Sequence, residues 1–179
     1  MSRYTIAVIA CALLVMAGVV QGQGLAGTTS LSLNVPPEAA LNITDATTGL
    51  STSGGVFGAP FTGTTGFTYK IRTGSSTTAK ITLAVASDFN STAEPKIAGL
   101  PTGDTMTYTS TATAASGAGI TTAQPVNSLN NATTVVTFNP QAHSTKAGDA
   151  GSVSWTLTND PVYEVGAFTA TVTFTISAT

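Results

Sequence analysis

The chain has 179 residues, a formal net charge of −2 and charged residues over only 8% of its length, against ~25% in ordinary soluble proteins. No basic cluster is present to neutralise phosphates, which argues against a nucleic-acid partner. A hydrophobic share of 42% with so little net charge also excludes a disordered chain, which needs the opposite balance.

Arg3 gives the chain a short basic start, and residues 4–20 are almost wholly apolar. Small residues follow at Gly18, Gly22, Gly24 and Ala26. Charge, apolar core and small-residue exit are the layout of a secretory signal peptide. The expectation is removal of residues 1–22, with Gly24 and Ala26 as alternative exits, leaving 23–179 as a single domain. Two rivals remain at this point. Residues 4–20 are at the short end of the ~17–25 residues of a membrane anchor, and Val8-Ile9-Ala10-Cys11 is a loose lipoprotein signal. Cys11 is the sole cysteine, so the exported domain is expected to hold together by packing and backbone hydrogen bonds, without disulfides. Export also places the expected site of action outside the cytoplasm, secreted or at the cell surface.

Along the rest of the chain, apolar residues recur with the two-residue period of a strand that buries one face. Leu31, Leu33 and Val35 alternate with Ser and Asn, and after Pro36-Pro37 the rhythm resumes at Leu41 and Ile43. It continues at 67–72 (Phe67, Tyr69, Ile71), 80–87 (Ile81, Leu83, Val85) and, more weakly, 105–111 (Met106, Tyr108). Further segments are 133–138 (Val136, Phe138) and 152–158 (Val153, Trp155, Leu157). The clearest is 168–178, where Phe168, Ala170, Val172, Phe174, Ile176 and Ala178 alternate with four threonines and a serine. The threonine row reads as the solvent face of that strand.

About eight short strands separated by Gly, Pro, Asn and Asp predict an all-β protein, an immunoglobulin-like antiparallel β-sandwich. Residues 49–66 and 112–124, rich in Gly, Ser, Thr and Ala, read as long loops and as candidate contact surfaces. No fixed repeat points to a solenoid.

Chemistry-bearing residues are sparse. His143 is the sole histidine and reads as a surface residue, since a zinc site or a triad needs partners beside it. The acids are scattered with no calcium-loop spacing, and nothing selects a catalytic pair from among, for example, Asp104, Asp149 and Asp160. Trp155, in the inward row of its strand, reads as core. No catalytic residue, metal ligand or cofactor site is therefore expected, and the function expected is structural or binding.

The alternating segment 28–35, the break at Pro36-Pro37, Leu41-Asn42-Ile43 and the ending Gly166-Ala167-Phe168-Thr169-Ala170-Thr171-Val172-Thr173-Phe174-Thr175-Ile176 form a layout. It resembles fimbrial subunits of the chaperone–usher type, particularly colonisation-factor fimbriae, and the related spore coat U-like secreted domains. The resemblance implies a surface-fibre subunit whose N-terminal strand completes the sheet of the next copy. Leu31, Leu33 and Val35 would then be donor residues, and Val172, Phe174 and Ile176 would line the acceptor groove. The partners implied are copies of the chain itself or other surface proteins. A monomeric secreted or envelope-associated binding module is the alternative.

Overall fold

The computed structural model describes residues 28–54, 57–91, 95–97, 106–112, 117–119, 124–126 and 131–178. The expected signal peptide, residues 1–22, lies outside them, as do the turn at 101–104 and most of 112–124. Contacts divide the chain into Met1–Asn34 and Val35–Thr179. In the first unit, the described residues 28–34 belong to no strand, and Leu31 and Leu33 are 95% and 88% exposed. The strand expected over 28–35 is thus not formed. Alternation supplies a face, but a strand also needs a backbone partner, and none is paired with this segment among the described residues.

The second unit is all-β, with no helix among the described residues. Its strands are β1 (Glu38–Ile43), β2 (Ser51–Thr52), β3 (Phe61–Arg72), β4 (Ala79–Ser87), β5 (Thr107–Ala112), β6 (Gly117–Gly119), β7 (Gln124–Pro125), β8 (Thr133–Phe138), β9 (Asp149–Leu157) and β10 (Thr171–Ala178). They form two antiparallel sheets. One runs β1-β3-β9-β5-β7, with β2 also on β3, and the other runs β10-β4-β8-β6. The sheets pack face to face as a sandwich, an arrangement compatible with the immunoglobulin-like expectation.

Seven of the expected strands recur, as β1, β3, β4, β5, β8, β9 and β10, with shifted ends. The largest shift is in β3, which begins at Phe61 rather than Phe67. Its first half turns Phe61, Gly63 and Thr65 inward, so small and polar residues hide the period that an apolar pattern would reveal. Gly63 is needed there: a Cβ would lie 2.6 Å from the Gly49 carbonyl oxygen.

The core is the sum of the inward rows. Phe67, Tyr69 and Ile71 of β3 meet Ile81, Leu83 and Val85 of β4, Phe138 of β8 and Val153 of β9, all buried. Tyr69 packs on Phe138 with ring centroids 5.1 Å apart. Burying each such side chain contributes ~1.5–3 kcal/mol.

On the side where β5 faces β8 the sandwich is tied shut. The β4–β8 register shifts between Ile81 and Thr82, because Thr82 pairs with Thr134 while Ile81 pairs with Val136. Val135 is the extra residue of this bulge, and bulges interrupt the ladder locally. The two carbonyls here receive donors from the opposite sheet: Tyr108 Oη donates to Thr134 O at 2.6 Å, and the buried Ser110 hydroxyl donates to Val135 O. Close backbone approach completes the seal, since a Cβ on Gly119 of β6 would lie 2.9 Å from Thr111 Cα of β5.

Candidate functional site

The opposite side of the sandwich is built differently. β1 ends one sheet and β10 ends the other, and they lie beside each other without sharing a hydrogen-bonded ladder. Their inward residues are apolar: Ala39, Leu41 and Ile43 on β1, and Val172, Phe174 and Ile176 on β10. All six pack against the core yet stay only half-buried, whereas the matching rows of β3, β4 and β9 are buried. Each edge strand has a neighbour on one flank only, so one side of each inward side chain stays uncovered. Among the described residues no strand pairs with the outer flank of β1 or β10, and an open flank is the usual template for adding a strand.

At the end of this side where β1 gives way to the turn toward β2, the gap widens into a cleft of about 720 Å³. Three stretches supply much of its lining, and the chain after β4 adds Phe89 and Ile97. The first is the inward row of β3 and β9, with Phe61, Thr65, Trp155 and Leu157. The second is the β1–β2 turn, with Asp45, Thr48 and Leu50. The third is the β9–β10 connection, with Tyr163, Glu164 and Phe168. Gly66 N donates to Asp45 Oδ2 at 2.6 Å and Thr44 N to Gly66 O at 3.0 Å, which pins that turn against β3. Asp88 Oδ1 accepts from Phe89 N and Ile97 N, and Asn90 Oδ1 accepts from Thr169 N at 2.9 Å. These bonds fasten the chain after β4 to the segment preceding β10, and set Phe89 and Ile97 in the wall.

The floor is a polar network in an apolar setting. Trp155 Nε1 donates to Thr65 Oγ1 at 2.8 Å, and Thr65 Oγ1 lies 2.6 Å from Thr48 Oγ1. Trp155 also meets Phe174 edge-on at 6.4 Å, linking the floor to the inward row of β10.

Of the expected site residues, Val172, Phe174 and Ile176 come together on one face, as their alternation implies. Leu31 and Leu33 belong to the N-terminal unit, and Val35, at its border, is 50% exposed. Trp155 is buried, as expected. His143 is exposed, its Nδ1 3.1 Å from Gln141 O. Asp149 and Asp160 accept backbone N–H bonds within their own turns, from Thr145 and Val162. Asp104 lies outside the described residues. No group of three or more potential metal-ligating side chains occurs among the described residues.

Sequence reasoning missed Leu41 and Ile43 as the facing wall of the groove, and Thr48, Phe61, Thr65, Phe89 and Tyr163 as parts of the cleft. Leu50 and Phe61 fall in the stretch 49–66 expected to be a loop, half of which proves to be strand. Phe61 stands out as an aromatic in a Gly- and Thr-rich stretch, but Phe57 in the same stretch is 65% exposed, so an aromatic there does not by itself mark the cleft. Neither a family model nor a curated protein nor a solved structure matches the chain.

Proposed function

We propose that the chain is a non-enzymatic, secreted subunit of a surface fibre, completed by the N-terminal segment of a neighbouring copy laid along the open side between β1 and β10. The observation that carries this reading is the half-buried apolar row of β10 on an unpaired edge. A strand added there gains backbone hydrogen bonds and places alternate side chains in the groove. Leu31, Leu33 and Val35 recur at the same two-residue spacing as Val172, Phe174 and Ile176, ~6.6–6.8 Å per step on a strand. They are apolar side chains in water, which is costly to the free chain and is relieved by burial. The scarcity of charge, at 8% of residues, leaves little self-repulsion between copies. Export rests on the composition of residues 1–26.

The test is light scattering coupled to gel filtration on the chain beginning at Gln23. Heat-resistant multimers are expected, and Leu31→Asp with Leu33→Asp should reduce them to monomer. A monomer indifferent to both substitutions, even when a peptide spanning residues 27–35 is supplied, overturns the reading. A second reading, a monomeric secreted or envelope-associated binding module, is favoured by one specific observation. The cleft at the end of the groove has a volume of about 720 Å³, within the ~300–1,000 Å³ of small-molecule sites.

A further inference from the structure

The wide end of the cleft has a chemistry distinct from the groove. Its walls carry Phe61, Phe89, Trp155, Tyr163, Phe168 and Phe174. The carboxylates among its lining residues are Asp45 and Glu164, both exposed, and no Lys, Arg or His lines it among the described residues. The Trp155 ring is only 4% exposed, its N–H is committed to Thr65 and it packs against Tyr108 and Phe174, so the aromatic surface left to an arriving molecule is that of the half-buried Phe61, Phe89, Tyr163, Phe168 and Phe174. A volume of about 720 Å³ falls within the ~300–1,000 Å³ of small-molecule sites.

From this combination we infer that the wide end binds a small organic cation carrying an apolar group, of the quaternary-ammonium class. Aromatic faces attract a cation through their quadrupoles, most strongly where water is excluded. Asp45 and Glu164 add attraction at the mouth and repel anions. A quaternary ammonium needs no hydrogen-bond acceptor, which suits walls that are mostly hydrocarbon. A neutral molecule of the same size gains only the burial of its apolar surface. The inference goes beyond strand donation and does not depend on it, because the side chains that define this end lie mostly outside the β10 row.

Trp155 is the sole tryptophan, so its fluorescence reports the cleft directly. The probes are benzyltrimethylammonium, benzyl alcohol and benzenesulfonate, titrated into the chain beginning at Gln23 and into the same chain carrying Leu31→Asp and Leu33→Asp. Saturable binding of benzyltrimethylammonium is expected in both, about tenfold tighter than benzyl alcohol, with benzenesulfonate weakest. Asp45→Asn together with Glu164→Gln should weaken the cation severalfold yet leave it tighter than the alcohol, because the aromatic walls remain. Asparagine keeps an acceptor for Gly66 N, and unchanged benzyl alcohol binding shows that the cleft survives the substitutions. Equal affinity for the three probes, or no saturable response to the cation in either chain, overturns the inference. Binding by the Leu31/Leu33 variant alone means that strand donation occupies the cleft in the multimer, and leaves the ligand assignment standing.

Discussion

Trp155 and Thr65 are 90 residues apart in the chain, and the indole N–H of one donates to the hydroxyl of the other at 2.8 Å inside the sandwich. Thr65 sits on the inward face of β3, where a threonine looks out of place by pattern alone. Its hydroxyl is the acceptor that lets a tryptophan be buried with its N–H satisfied. Thr65→Val should therefore lower stability by ~1–3 kcal/mol, the cost of leaving a buried donor unpaired. Thr65→Ser, which keeps the acceptor, should cost about the ~0.8 kcal/mol of one buried methyl. Urea denaturation followed by Trp155 fluorescence measures both, and equal losses would mean that the hydrogen bond is not what matters.

Gly151 of β9 pairs with Phe67 of β3, and the Phe67 ring occupies the space a side chain at 151 would take. A Cβ there would also lie 2.7 Å from Thr111 O. Since Phe67 is buried and in ring contact with Tyr69 and Phe174, it has no room to withdraw. Gly151→Ala should destabilise by ~1–3 kcal/mol through overpacking, read as a lower urea midpoint at unchanged slope. A midpoint equal to that of the unaltered chain would show that the ring moves freely.

Phe138 and Phe174 are the same residue type in two degrees of burial, one enclosed on β8 and one half-covered on the edge strand β10. Phe138→Ala should cost ~3–5 kcal/mol, the range for an enclosed ring, and Phe174→Ala roughly half of that in the isolated chain. If a neighbouring copy covers the groove, Phe174→Ala carries a further penalty in assembly that Phe138→Ala lacks. Comparing monomer stability with multimer yield separates the two effects.

Tyr108 titrates above its ordinary value of 10.0, chiefly because burial penalises the phenolate, with a side-chain hydrogen bond to Thr133 acting the other way. A raised pKa means that the folded chain holds a proton which the unfolded chain releases above pH ~10. The stabilisation from this group is fully present below that pH and falls as pH rises toward the folded-state value. Stability measured from pH 8 to 11.5 should decline more gently in Tyr108→Phe than in the unaltered chain. The variant should start lower at pH 8 by about 1 kcal/mol, because Thr134 O loses its donor. Parallel alkaline limbs would assign the decline to other groups.

The strand character of residues 67–71, 81–85, 153–157 and 172–178 was legible in the sequence, as was the burial of Trp155, because a two-residue period in side-chain chemistry is a local property of the strand. The first half of β3 was not legible: Gly63 and Thr65 face inward for reasons that lie in Gly49, Thr48 and Trp155, all elsewhere in the chain. The candidate groove was half legible. Val172, Phe174 and Ile176 must share a face by alternation alone. That they stay half-covered follows from β10 being an edge strand, and the order of strands across a sheet is set by long-range pairing. The same logic explains residues 28–35, whose pattern resembles that of β10 but whose described part forms no strand. Alternation decides which side chains point together, while a partner backbone, supplied only by the tertiary or quaternary structure, decides whether there is a strand at all.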